Sequence, residues 1–396
     1  MRLSNLLSKQ RDWLLALIFN LVLIQLLVGL CYTSGRRHVL FWLTVFFSFN
    51  ISFFFWNSLL RNIQFSNWKY ESFFRQTKSI RYWMLISIVV AVVDLIFFVR
   101  FPMLRAWNIT SVKELIDLRA NAYSGVPTLW VYVAALNLKA VLPFWIFYSL
   151  QRNWRQSFVF ITVFSAAYAF LLMQKSFCIV VLMPVLIWTL LNKEWKILLI
   201  LIGLVGASVM VISAHHNRVI QRDTSFVSVK TEGEKTSLLT GLLNRVFIIP
   251  GEVASLWLDV VPEKEPYLWG RGYGWIAALR NESYENYDLK LYQYWKPSYV
   301  KQGIQGRVNT ASFMREYANF GWLGMIGGCM MISLVLSLIQ IVFWKDWKAK
   351  LALMGMPILL LSSSNILTIF FSGGAALMVI LYVLFHRDWM KSEGFQ

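Results

Sequence analysis

Cysteine is almost missing from this sequence. There are three in 396 residues, Cys31, Cys178 and Cys329, each inside an apolar run. That placement excludes a disulfide framework and leaves them as small core side chains. Histidine is nearly as scarce, at four residues. There is no HExxH and no CxxC, and His215–His216 alone is too little to hold a metal, so no metal is expected. No GxSxG turn exposes a nucleophilic serine. The stretch GEKTS (233–237) lacks the glycine spacing of a phosphate-cradling loop. No cofactor is expected, and no repeat or low-complexity tract stands out.

Charge is sparse too, and uneven in sign. Charged residues make up 15% of the chain, with 38 Lys or Arg against 20 Asp or Glu and a net charge of +18. Apolar bulk takes the place of charge: 58% of residues are hydrophobic and 16% aromatic, with a mean hydropathy of +0.55. These values lie outside the soluble class and predict an all-α, polytopic integral membrane protein. In a soluble protein the positive excess would suggest nucleic acid. Here the basic residues cluster in short loops between apolar runs, as the positive-inside rule requires, and no nucleic-acid partner is expected.

A membrane span takes about 20 apolar residues. About ten candidates follow, near 12–33, 38–60, 82–100, 128–150, 157–173, 176–192, 196–214, 320–343, 351–371 and 374–386. The connections RNIQFSNWKYESFFRQTKSIR, QRNWRQ, NKEWK and WKDWKAK and the tail HRDWMKSEGFQ are rich in Lys, Arg and Trp. All fall on the cytoplasmic side if the N-terminus lies there. Arg2, Lys9 and Arg11 precede the first run with no small-residue cleavage site after it, so that run is expected to be a retained span. The resulting organisation is spans one to seven over 1–214, with an outward loop at about 101–127; one large outward loop over 215–308; and spans eight to ten over 309–396. The large loop carries twelve Lys or Arg and ten Asp or Glu, half of the acidic residues in the chain. Within it, Leu238–Val261 is long enough to span, but Arg245, Pro250 and Glu252 near its middle make that costly. Two short helices at the membrane surface, broken at Pro250–Gly251, are expected instead.

The chemistry-bearing candidates gather on the outward face. Arg315 and Glu316 stand at the mouth of the eighth span. Neighbouring helical residues point about 100° apart, so each needs a partner other than its neighbour. Arg307 would share a face with Arg315 if that stretch is helical, and Asn309 could cap the incoming helix. Lys175 occupies a tight turn between two spans, and Arg119 precedes the fourth. Arg218 follows the seventh span, Arg245 lies in the large loop, and Arg271 stands among glycines and aromatics in LWGRGYGW. Headgroup contact accounts for any one of these cations. A set of them, on the side the insertion rule does not favour, suits an anionic ligand such as a phosphate or diphosphate. Inside the membrane, Asp94 and Lys139 on neighbouring spans read either as a structural pair or as lining of a polar cavity.

Three stretches carry a resemblance. QKSFCIVVL, LLNRVFIIPGEVASLW and NTASFMREYANFGWLGMIGG resemble, in order and in topological placement, elements of the Wzy-type O-antigen polymerases, the oligosaccharide repeat-unit polymerases of bacterial inner membranes. The resemblance implies a metal-independent glycosyltransferase in that membrane, with its large loop and active site in the periplasm. It implies a glycan donor and a glycan acceptor, each on undecaprenyl diphosphate, surrounding membrane lipids, and a Wzz-type chain-length regulator as partner. Glu316, Arg315, Arg245 and Lys175 would then be catalytic. Arg119, Arg218, Arg271, Arg307, Asn309 and Glu252 would contact substrate. Two roles stay open for Glu316: proton acceptor, with Glu252 as second candidate, or ion-pair partner of Arg307 or Arg245. Related O-antigen ligases tend to carry a histidine ahead of the closing element, where this chain has Arg307 and Asn309. That departure favours polymerase over one rival, a ligase; the other rival is a lipid-linked oligosaccharide flippase. A flippase would also show internal repeat symmetry.

Overall fold

The computed structural model describes residues 13–60, 77–222, 241, 243–301, 303, 305–343 and 346–386. The N-terminal basic residues, most of the loop after the second span, the GEKTS stretch, the start of WKDWKAK and the C-terminal tail lie outside them. The described residues are mostly helical and hold no strand. The helices used below are α1 (Leu14–Ser34), α2 (Val39–Leu60), α3 (Thr77–Val93), α4 (Leu142–Gln151), α5 (Arg155–Leu171), α6 (Lys175–Leu191), α7 (Trp195–Arg222), α8 (Ile249–Val260), α9 (Gly274–Leu279), α10 (Ser312–Val342), α11 (Trp347–Leu359), α12 (Ile366–Phe370) and α13 (Ala375–Leu381).

Seven helical segments among the described residues are long and apolar enough to cross a bilayer: Leu14–Ser34, Val39–Leu60, Ile80–Ala106, Thr128–Gln151, Trp195–Val219, Ser312–Val342 and Ile366–Phe385. The chain is a multi-pass membrane protein. Two of the ten expected spans are shorter helices, Arg155–Leu171 and Lys175–Leu191. The expected ninth and tenth spans divide differently. Helix α11 contains Pro357, tightens into a single 3₁₀ turn at Leu360–Ser362, and stops before Asn365. The apolar crossing therefore starts at Ile366.

The chain forms two compact units. The first comprises Met1–Phe65, Gly233–Trp344 and Ile358–Ile369; the second comprises Ser66–Glu232, Lys345–Pro357 and Phe370–Gln396. In the first unit α1 and α2 pair through Phe19 and Phe49, ring centroids 4.4 Å apart. Beside them, the amides of Asn20 and Asn50 exchange hydrogen bonds of 2.9 and 3.0 Å. Reciprocal bonding satisfies two amides that lipid could not. Helix α10 lies along α2, setting Trp42 against Phe313 at 5.4 Å and Phe41 against Tyr317 at 5.2 Å.

Helix α8 corrects one expectation. No break occurs at Pro250–Gly251, because the proline sits in the first turn, where its missing N–H costs nothing. A π-helical turn, Asn244–Ile248, leads straight into it. Nor does α8 rest on a membrane surface alone. It packs on α1, where Gly29 and Gly251 meet so closely that a Cβ on either would strike the opposing backbone. At the α1–α2 turn, Asp259 of α8 accepts from Arg37 at 3.1 Å and from His38 at 3.0 Å.

In the second unit α4 is the innermost helix. Leu142 through Ser149 are all buried, as an apolar circumference requires. Helices α5 and α6 pack against it, and α7 packs on α6.

Candidate functional site

The site grows from a break in α10. Phe320 (φ −135°) and Gly321 (φ +63°) leave helical geometry, dividing α10 into a short segment, 312–319, and a long one. The left-handed φ requires glycine or strains any other residue, and Gly321 supplies it. The break frees carbonyls at the end of the short segment. Two backbone N–H groups from the preceding loop take them: Leu268 donates to Ala318 at 2.9 Å and Trp269 to Asn319 at 2.8 Å. The short segment also folds against the long one. A Cβ on Gly328 would stand 2.7 Å from Glu316 Cγ, and one on Gly324 would strike the Glu316 carbonyl. The Gly324-x-x-x-Gly328 face thus makes room for Glu316.

Arg315 and Glu316 turn to different partners, as their helical spacing demands. Glu316 Oε1 accepts a short hydrogen bond from the Tyr273 hydroxyl and another from Asn365 Nδ2 at 3.3 Å. Both donors are neutral. The Arg315 guanidinium donates to the Gly272 carbonyl at 2.7 Å and lies over the Tyr273 ring, 5.4 Å from its centroid. Tyr273 therefore touches both members of the pair. Its burial and the Glu316 carboxylate push the phenol far above its ordinary range, so it stays a donor. Asn319, fully buried, locks this arrangement: its Oδ1 accepts from Gly272 N at 3.1 Å and its Nδ2 donates to the Arg315 carbonyl at 2.9 Å. Asn365 is held in turn by its own turn, with Leu367 N donating to its Oδ1 at 2.8 Å. Next to it, Ile366 N donates to Ser312 Oγ at 2.9 Å.

A second carboxylate borders the site. Asp288 shares a small cleft with Arg315 and Glu285. Burial pushes its carboxyl above the ordinary range, against the opposing pull of Arg315 and Arg307. Arg307 thus faces the same carboxylate as Arg315. It does so from a segment that is not helical, and it is solvent-exposed. Asn309 is exposed and does not cap α10, whose preceding residue is Ala311 with no side-chain cap.

The other expected site residues occupy other places. Arg271 is engaged by carboxylates, with a short contact to Glu285 and a 3.9 Å contact to Glu282. Lys290 extends the network to Glu265 at 2.5 Å and Glu285 at 3.8 Å. Glu252, on α8, accepts from Trp295 Nε1 at 2.8 Å. Arg245 is exposed on the π-helical turn that packs on α1. Arg119, Lys175 and Arg218 belong to the second unit. There Arg119 ends a short helix, Val112–Ala120, and Lys175 opens α6 after Met173 (φ +60°). Arg218 is exposed on the last turns of α7, which continues beyond its apolar part.

Asp94 and Lys139 do not pair with each other. Asp94, fully buried, accepts from the hydroxyls of Tyr123 at 3.0 Å and Tyr168 at 2.8 Å and from Trp130 Nε1 at 2.9 Å. Three neutral donors satisfy the carboxylate without a cation. Lys139 instead sets its ammonium over the Phe177 ring at 5.9 Å. Asp94, Lys139 and Arg245 each stand in a π-helical turn.

Tyr273, Asn319, Asn365 and Asp288 were not singled out from the sequence. The signals were present: a tyrosine between glycines in GRGYGW, and the polar run SSSN inside an apolar stretch. Among the described residues no group of three or more His, Cys, Asp or Glu could hold a metal. No protein-family model, curated protein or solved structure matches this chain.

Proposed function

We propose that this membrane protein is an O-antigen-type polysaccharide polymerase of a bacterial inner membrane, working at the periplasmic face on undecaprenyl-diphosphate-linked glycans. One observation carries the reading beyond the resemblance: a half-buried carboxylate, Glu316, held by two neutral donors beside an arginine anchored only in part. A carboxylate bonded to neutral groups keeps its capacity to take a proton better than one locked in an ion pair.

The chemistry follows from that pair. An acceptor sugar hydroxyl attacks the anomeric carbon of the donor glycan. The new C–O glycosidic bond forms as the bond to the diphosphate oxygen breaks, and undecaprenyl diphosphate leaves with the electron pair. The hydroxyl proton passes to the Glu316 carboxylate. A guanidinium has five N–H donors, so Arg315 keeps several for the phosphate oxygens after bonding Gly272. Diphosphate is already a good leaving group, so orientation and charge neutralisation make up most of the catalytic task. Tyr273 and Asn365 aim the carboxylate, and Asn319 fixes Arg315 through its backbone. A Wzz-type regulator would act on this chain to set product length.

Two measurements test the reading. Cells lacking the protein should display single-repeat glycans capped on lipid core; bare core with accumulated long chains would identify a ligase instead. Purified protein with synthetic lipid-linked repeat units should yield a ladder of oligomers, and failure to elongate in the presence of both lipids would overturn the proposal.

A further inference from the structure

The loop that cradles Arg315 also carries an apolar face that, among the described residues, no protein group covers. Trp269 is 58% exposed, Trp275 63% and Leu279 76%. Trp275, Ala278 and Leu279 stand at positions one, four and five of a helical turn, on one side of α9, while Ala277 on the other side is buried. The position of this face is fixed. Trp269 adopts a left-handed backbone (φ +51°) followed by Gly270 (φ +94°), where a Cβ would stand 2.8 Å from Ile276 Cγ2. Its N–H bonds the Asn319 carbonyl, and its own carbonyl accepts from Arg280.

That bond places Trp269 beside the start of the long segment of α10. The residues there, Trp322 and Leu323, are themselves exposed, Leu323 to 81%. They begin the outward side of a helix long and apolar enough to cross the bilayer. The loop's charges are tied up among themselves instead: Arg271 with Glu285 and Glu282, and Arg280 with Glu282 at 2.8 Å. Tryptophans concentrate where a bilayer meets water, and a short apolar helical face with a charged back inserts to a depth of about 5–10 Å.

From this continuity we infer that Trp269, Trp275 and Leu279 form a lipid-inserted wedge, and that its partner is the bilayer itself. The loop is then an interfacial anchor. The backbone bonds from Leu268 and Trp269 to the broken end of α10 couple membrane insertion to the position of Arg315 and Glu316. The inference does not depend on which reaction the site performs, because it is read without substrate.

The test uses the full chain with Cys31→Ser, Cys178 and Cys329 being buried. Trp275→Cys and, separately, Leu279→Cys are labelled with a nitrobenzoxadiazole probe, with Lys301→Cys as an exposed control on the same loop region. Each is reconstituted in phosphatidylethanolamine–phosphatidylglycerol vesicles containing a shallow nitroxide lipid. The wedge predicts blue-shifted emission at both sites and nitroxide quenching about threefold or more above that at Lys301. Iodide quenching equal to the control would place the face in water and overturn the inference. Protection from both quenchers would assign the face to a protein partner, a second copy included, and overturn it equally. Two separate sites keep the test decisive if one variant fails to fold.

Discussion

Replacing Glu316 by Gln separates a proton-accepting role from a structural one, because the geometry predicts different magnitudes for the two. The amide is isosteric, so it fits the space beside Gly328, where a Cβ would already lie 2.7 Å from Glu316 Cγ. Its carbonyl oxygen can still accept from Tyr273 and Asn365, the two donors that hold the carboxylate. The stability cost is therefore the difference between charge-assisted and neutral hydrogen bonds, about 1 kcal/mol. Loss of a general base costs about a hundredfold to ten-thousandfold in rate, roughly 3–5 kcal/mol of transition-state stabilisation. The activity loss should thus exceed the stability loss severalfold. The assay is elongation of synthetic lipid-linked repeat units by purified variant, followed against pH, alongside thermal unfolding of the same preparation. Rates near the parent's from a folded Glu316→Gln would refute the proton-acceptor role. A stability loss as large as the activity loss would instead make Glu316 a structural strut.

Four further outcomes are expected. Gly328→Ala should push Glu316 from its place and cost about 1–3 kcal/mol of stability together with activity, whereas Gly327→Ala, with nothing within 4 Å of the added Cβ, should leave both unchanged; thermal melts and elongation rates check the pair. Asn319→Ala removes two hydrogen bonds from a fully buried site and should cost about 2 kcal/mol or more by denaturant titration. Asp288 has its folded-state proton affinity raised above the ordinary value of 3.8. Its ionisation therefore costs the fold nothing below that pH and progressively more as pH rises through the folded value, so Asp288→Asn should gain melting temperature relative to the parent between pH 4 and pH 7; a difference that shrinks over that range would contradict the sign. Topology follows from the basic bias of the short loops: in the Cys31→Ser background, an impermeant maleimide should reach Lys301→Cys and Gln156→Cys from opposite sides of the membrane, and same-side labelling would remove the periplasmic placement.

The sequence made the membrane class legible because hydropathy runs are a bulk property that no tertiary contact overrides. Span boundaries were less so. After the preceding helix has stopped, Asn365 starts another through its own side chain, and hydropathy averages that single residue away. Arg315 and Glu316 could be located, and their divergence follows from helical spacing alone. Their partners could not, because each contact closes across at least 40 residues: Tyr273 and Gly272 lie 43 positions before, and Asn365 lies 49 after. Long-range closure of this kind depends on the break at Phe320–Gly321, which turns the short segment back against Gly324 and Gly328. A reader of the sequence sees Asn-Phe-Gly and can infer a helix stop. What it cannot supply is that the freed carbonyls will be taken by Leu268 and Trp269, and that this same loop brings Tyr273 to the carboxylate. Of the two readings open for Asp94 and Lys139, the structural pair does not form, for a related reason. Opposite charges inside a membrane suggest a pair, but three neutral donors satisfy a carboxylate as well and need no second dehydrated charge. The same economy holds at Glu316, where two neutral donors take the place that an arginine would fill in the ion-pair alternative. A carboxylate so held can be fixed in position without being neutralised, which is the condition that the proposed role of Glu316 as proton acceptor beside Arg315 has to meet.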